Sequence, residues 1–198
     1  MTAPQRLILV TGPARSGKSE WAEHLAAQSG LSVLYVATAQ VDPSDPEWTD
    51  RIQQHQQRRP TSWITQPVPI ALSAVMQTAE ATDCLLIDSL GTWVANLLEQ
   101  DDQVWEQTVS ELVEHLRQSL STIILVAEET GWGVVPAYPI GRLFRDRLGH
   151  LTRRIGSIAD EVYLVTAGYV LNLKQLGVPL QNLTIATDSS NLENSASQ

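Results

Sequence analysis

Residues Gly12-Pro13-Ala14-Arg15-Ser16-Gly17-Lys18-Ser19 fit the spacing G-x-x-x-x-G-K-[ST], and no other stretch of this chain limits its fold as strongly. The flanks give the pattern its meaning. A short β-rich apolar run over 6–11 precedes it and a helical pattern over 18–29 follows, so the glycine-bearing turn joins a strand to the helix it opens. In that setting successive backbone N–H groups and the positive end of the helix converge on a chain of phosphates. Lys18 is placed to reach the β and γ oxygens, and the Ser19 hydroxyl to ligate Mg²⁺. All eight residues are therefore candidate nucleotide-binding positions, Lys18 is also a candidate catalytic residue, and ATP or GTP is the expected substrate. A carboxylate on the metal side is expected at the end of another strand. Asp88, closing the apolar run Cys84-Leu85-Leu86-Ile87, is the candidate, and capping of the next helix is its plainer use.

The rest of the chain alternates in the way such a loop requires. Strands are predicted over 31–38, 83–88, 122–127 and 161–166. Helical patterns are predicted over 48–58, over 67–80 after its prolines, from 93 to 99, over 104–120 with Val109, Leu112, Val113, Leu116 and Leu120 on one face, and over 140–158. Strands separated by helices imply an α/β fold, a doubly wound and mainly parallel sheet with helices on both faces and ligands outside the carboxyl ends of the strands. The length, 198 residues, suits one domain. We expect a single nucleotide-binding domain over 1–187 and a loose polar tail over 188–198. Apolar runs such as 7–10 and 123–127 fall far short of the ~20 residues of a membrane span, and no secretory pattern opens the chain, so a cytoplasmic location is expected. The lone Cys84 cannot form an internal disulfide or a zinc cluster and reads as a buried, inert thiol.

Charge narrows the partners. With 22 acidic and 13 basic residues the formal net charge is −9, which weighs against nucleic-acid binding, a process driven by neutralising phosphates. Most of the cations fall in three segments: Arg15 and Lys18; Arg51, Arg58 and Arg59; and Arg142, Arg145, Arg147, Arg153 and Arg154. Such clusters suit phosphorylated small molecules, and equally suit solvated helix faces paired with local acids.

The middle cluster carries a nucleophile. On a helix Arg51, His55, Arg58 and Arg59 lie at i, i+4, i+7 and i+8 and share a face. A neutral imidazole can attack phosphorus while neighbouring guanidiniums hold a triphosphate and the departing pyrophosphate. A solvated basic face gives the same pattern. N-K-x-D is absent, which argues against a switch GTPase.

With these segments in order, the chain resembles the bifunctional adenosylcobinamide kinase and adenosylcobinamide-phosphate guanylyltransferase family of cobalamin biosynthesis. The resemblance runs from Leu7 to about Gly168. It rests on the phosphate loop, Tyr35-Val-Ala-Thr-Ala, Arg51-Ile with His55 and Arg59-Pro60, Trp63 with Thr65, Leu86-Ile-Asp88 with Trp93 and Asn96, Glu129-Thr-Gly-Trp-Gly-Val-Val-Pro136, Gly141-Arg-Leu-Phe-Arg-Asp146 and Ala159-Asp160. It implies a P-loop fold, a homotrimer and two reactions: phosphorylation of adenosylcobinamide by ATP or GTP, then transfer of GMP from GTP through a histidine to adenosylcobinamide phosphate, giving adenosylcobinamide-GDP and pyrophosphate. On this resemblance His55 carries GMP, and Ala37, Thr38, Ala39, Gln56, Gln57, Arg58 and Arg59 join the nucleotide-binding positions. The chain departs from the family pattern at Pro67 and Val68, where many relatives have acidic residues, and at Thr152 and Arg153, where they commonly have Asn-Gln.

Other features carry two readings each. Trp93 and Trp132 follow strand ends and could meet the apolar face of a corrin or pack in the core. Glu128 and Glu129 could serve as base, orient Mg²⁺ or be solvated loop acids. The alternative function is another P-loop small-molecule kinase without guanylyltransferase activity.

Overall fold

The computed structural model describes residues 5–40 and 59–180. The expected helix over 48–58, with His55, Gln56, Gln57 and Arg58, and the expected tail over 188–198 lie outside the described residues.

Among the described residues seven strands form one sheet: β1 (Leu7–Gly12), β2 (Ser32–Ala37), β3 (Ile64–Pro67), β4 (Asp83–Asp88), β5 (Thr122–Glu128), β6 (Glu161–Thr166) and β7 (Tyr169–Asn172). Their order is β3-β2-β4-β5-β1-β6-β7, parallel throughout except for the final β6–β7 hairpin. The central strands β1, β4 and β5 are near-continuous runs of Val, Ile and Leu, as strands covered on both faces must be.

Helices cover both faces. On one, α1 (Lys18–Gln28) lays Ala22 and Ala26 against Ile8, Val10, Leu86, Ile124 and Val126. On the other, α2 (Leu72–Thr78), α3 (Leu90–Asn96), α4 (Asp102–Gln118) and α5 (Pro139–Ile158) pack over Leu7, Leu9, Leu85, Ile87, Ile123 and Leu125. A single-turn α6 (Leu173–Leu176) follows the hairpin. This is the doubly wound α/β arrangement expected, and among the described residues no helix is long and apolar enough to cross a membrane.

Several boundaries differ from those expected, each for a local reason. The segment over 67–80 is helical only from Leu72: Pro67 completes β3 on the sheet edge, where a missing N–H costs no ladder bond, and the prolines delay the helix. The helix expected from 93 begins at Leu90, because the Ser89 side chain accepts from Thr92 N–H in a capping box. Ser89, not Asp88, is thus the cap. Helix α4 starts at Asp102, with Asp101 as its N-cap accepting from Val104 N–H at 2.9 Å. It buries Trp105, Val109, Leu112, Val113 and Leu116, and stops before the exposed Leu120 because Ser119 is extended.

Candidate functional site

The phosphate loop lies where the sequence puts it, between β1 and α1. Two of its residues, Arg15 at φ 59° and Gly17 at φ 91°, take left-handed backbone, which turns the chain sharply into the helix. Gly17 is the N-cap and supplies no side-chain cap, so the first N–H groups of α1 are left for an anion. Gly12 is required by a close approach: a Cβ there would sit 2.3 Å from the Val165 carbonyl oxygen of β6. Lys18 is buried and its Nζ donates to the Pro13 carbonyl at 3.4 Å, so the ammonium lies back across the loop. The Ser16 hydroxyl is buried and has no hydrogen-bond partner among the described residues, as a phosphate ligand would be.

Carboxylates gather at the same edge of the sheet. Register places Gly12 opposite Glu128 and Asp88 opposite Val126, so Asp88 ends β4 two strands from the loop, about 10 Å away by strand spacing. Glu129 N–H donates to the Gly12 carbonyl at 2.9 Å, and its Oε1 accepts from the Thr11 hydroxyl at 3.0 Å. Glu128 Oε2 accepts from Gly91 N–H at 2.9 Å, which fixes the start of α3. The Asp88–Ser89 peptide bond is cis. Asp88 and the Ser19 hydroxyl are hard oxygen donors, and a carboxylate with substrate phosphates is the set that suits Mg²⁺.

The Tyr35–Asp88 contact could not be read from the sequence. The Tyr35 hydroxyl donates to Asp88 Oδ2 at 2.9 Å. Burial and the neighbouring carboxylate push its pKa well above that of an ordinary phenol, so it stays protonated and remains a donor. Arg59, the one residue of the nominated 56–59 stretch within the described residues, stacks on that ring with its guanidinium carbon 3.2 Å from the centroid. Its side chain is 7% exposed and its Nε is 3.8 Å from Glu23 Oε1 of α1.

Ala37 ends β2, and Thr38 and Ala39 follow it at the same sheet edge. Thr38 is fully buried, its hydroxyl bridging to Ser89. Asn96 Nδ2 donates to the Thr38 and Pro69 carbonyls, both at 2.9 Å, and Trp93 is a core residue whose Nε1 donates to the Ile70 carbonyl at 2.8 Å. Trp132 is exposed.

The third arginine cluster is spent largely on structure. Arg142 donates to the Pro136 and Ala137 carbonyls, Arg147 to those of Leu97, Leu98 and Gln100, and Arg154 pairs with Glu106. A groove of about 1210 Å³ runs along α5 from Thr11, Glu128 and Glu129 to His150, Arg153 and Lys174.

A strand, a glycine turn and a helix N-terminus at the carboxyl edge of a mainly parallel sheet make this a P-loop nucleotide-binding protein. Solved structures share the fold: a Pyrococcus horikoshii OT3 protein (TM-score 0.54, 7% identity, 87% of this chain and 88% of that one) and a prototypical ATPase from the type III secretion system of pathogenic bacteria (TM-score 0.51, 10% identity, 89% and 59%). The chain belongs to the cobinamide kinase / cobinamide phosphate guanyltransferase family, whose profile matches residues 8–173. It is similar to the bifunctional adenosylcobalamin biosynthesis protein CobP of Pseudomonas aeruginosa, 45% identical over 174 residues covering 87% of this chain and 98% of that one. It is also similar to the bifunctional adenosylcobalamin biosynthesis protein CobU of Salmonella typhimurium, 36% identical over 183 residues covering 85% and 99%.

Proposed function

We propose that this chain carries both activities of its family: phosphorylation of adenosylcobinamide by ATP or GTP, and transfer of GMP from GTP to adenosylcobinamide phosphate. The observation that carries the reading is the phosphate loop, with buried Lys18, the partnerless Ser16 hydroxyl and the uncapped start of α1 facing the strand-end carboxylates.

In the kinase step Gly12 to Ser19 hold the triphosphate, Lys18 offsets charge on the γ-phosphoryl group as it transfers, and the corrinoid hydroxyl displaces the nucleoside diphosphate. Ser19 and Asp88 would hold Mg²⁺, which when bound neutralises phosphate charge. Glu129, whose carboxylate accepts from the Thr11 hydroxyl beside the loop, would take the hydroxyl proton. In the second step a neutral His55 nitrogen attacks the α-phosphorus of GTP; a P–N bond forms, the α–β bridging bond breaks and pyrophosphate leaves. A phosphate oxygen of the phosphorylated corrinoid then attacks the same phosphorus, the P–N bond breaks and His55 is regenerated. Ala37, Thr38, Ala39, Gln56, Gln57, Arg58 and Arg59 are assigned to the guanylylation side on the family resemblance.

The groove beside α5, floored at one end by Glu128 and Glu129, is large enough for a corrinoid. We further propose a single domain, a homotrimer and a cytoplasmic location. Exposed apolar side chains at Trp132, Val134, Tyr138 and Ile140, and at Tyr169 and Val178, support burial between subunits.

The test is the fate of each phosphorus. With Mg²⁺ and α-labelled GTP the protein should take label in a bond stable to base and labile to acid, as a phosphoramidate is. His55→Asn should take none and form no adenosylcobinamide-GDP while still phosphorylating adenosylcobinamide. Release of γ-label alone would leave the simple-kinase alternative.

A further inference from the structure

Of the arginines on α5, Arg142, Arg147 and Arg154 are occupied by backbone carbonyls or by Glu106, which leaves Arg145 and Arg153. Arg153 is exposed and has no ionic or hydrogen-bonding partner among the described residues. Arg145 meets, among those residues, only the adjacent Asp146, which lies 3.6 Å from its Nε. Both arginines line the groove beside α5. They stand about 12 Å apart along the helix, and Gly149 falls midway.

Between them the helix presents a low wall. A Cβ on Gly149 would find nothing within 4 Å, and one on Gly156 would make ordinary contact with Leu9 Cδ2 at 3.6 Å. Packing demands neither glycine, although each weakens the helix relative to alanine. Their effect is a shallow bed on the groove side of α5. The Thr152 hydroxyl, on the same wall, is buried without a hydrogen-bond partner among the described residues.

The charges select the occupant. Glu106, Glu128 and Glu129 also line the groove, so an anion lying along it would meet three carboxylates. A neutral ligand rich in carbonyl oxygens meets no such conflict and gives each guanidinium an acceptor. A flat face suits the bed, and Thr11 and Glu129 line the groove beside the phosphate loop, where a hydroxyl to be phosphorylated must arrive. We propose that Arg145 and Arg153 bind the corrinoid substrate: its macrocycle lies across Gly149, its peripheral carboxamide oxygens accept from the two guanidiniums, and its hydroxyl-bearing arm runs toward Thr11 and Glu129. This rests on adenosylcobinamide being the substrate, and adds which residues hold it and which way it lies.

The experiment measures half-saturating adenosylcobinamide and half-saturating ATP in the kinase step, together with adenosylcobinamide binding without nucleotide, by equilibrium dialysis read from the corrin's visible absorbance. Gly149→Leu lays a side chain across the bed, and should raise half-saturating adenosylcobinamide and weaken its binding about tenfold or more, while half-saturating ATP stays within about threefold. Gly149→Ala should shift both corrinoid readings severalfold in the same direction yet raise the melting temperature, because alanine strengthens the helix. A glycine kept for the fold would lose stability instead. Arg145→Met and Arg153→Met keep an apolar stem and lose the donors, and each should raise half-saturating adenosylcobinamide about fivefold or more with ATP unchanged. If thermal melts show that Gly149→Leu does not fold, Gly149→Ala and the arginine variants decide by the same split.

Two results overturn the proposal while leaving the two-step function standing. One is corrinoid constants within about twofold of wild type in the folded glycine and arginine variants. The other is a rise in half-saturating ATP in place of adenosylcobinamide, which would make the arginines nucleotide contacts. A wild-type protein that neither binds nor phosphorylates adenosylcobinamide overturns the function, and the proposal with it.

Discussion

Thr38 and Ser89 bond to each other twice, the Thr38 hydroxyl donating to the Ser89 carbonyl at 2.7 Å and accepting from the Ser89 N–H at 2.8 Å. The pair joins the chain just past β2 to the chain just past β4, and so sets the spacing of the two strand ends at which Ala39 and Asp88 stand. The same hydroxyl contacts that of Thr92 in the capping box of α3. A residue nominated for phosphate binding therefore has its side chain committed to the scaffold.

Thr38→Val keeps the shape and removes both bonds, leaving a buried donor and acceptor on Ser89 without their partner. It should destabilise the protein by about 2 kcal/mol in urea melts. Thr38→Ser, which keeps the hydroxyl, should lose much less.

Arg147 presents a second buried anchor, reaching the carbonyls of Leu97, Leu98 and Gln100 at 3.3, 3.3 and 2.7 Å beneath Trp105. Arg147→Met strands those carbonyls and should cost about 3 kcal/mol. Its ion pair with Asp102 should matter far less, because Asp102 is 94% exposed. Asp102→Asn should therefore change stability by under about 1 kcal/mol in the same melts.

Cys84 lies fully buried in β4, and burial raises its thiol pKa to about 11. Below the unfolded thiol's ordinary value both states are protonated and the full stability is present. As pH rises the unfolded state ionises first, so stability falls on approaching the folded value. Thiol reagents at pH 8 should label the urea-unfolded chain about a hundredfold faster than the native one. Equal rates would mean that β4 opens readily.

Lys18→Ala removes the ammonium from the loop and should lower kinase turnover about a hundredfold or more. The check is phosphorylation of adenosylcobinamide by variant and wild type at the same protein concentration.

What the sequence made legible follows from how local each signal is. The phosphate loop, the five six- and seven-residue parallel strands and the long α4 and α5 helices announce themselves in contiguous patterns, and all were expected near their observed bounds. Strand β3 is exposed, holds four residues and ends in Pro67, so it lacks both length and alternation. Strand β7 is mostly exposed, and is a strand because Ala167 at φ 50° and Gly168 at φ 80° turn it back onto β6. The loop, Asp88 and Glu129 were legible as pieces of a site. The cluster of Glu23, Tyr35, Arg59 and Asp88 was not, because it joins residues remote in sequence through one ring face and one hydroxyl.

The close approach of Gly12 to the Val165 carbonyl has a consequence for the order of events during synthesis. The loop near the start of the chain is completed by a strand made more than a hundred residues later, since β1 pairs with both β5 and β6. Closing so long an interval of chain delays productive pairing. A nascent polypeptide halted on the ribosome before β6 emerges should hold its glycine turn without the wall behind it, and nucleotide capture should begin only when that last parallel strand docks.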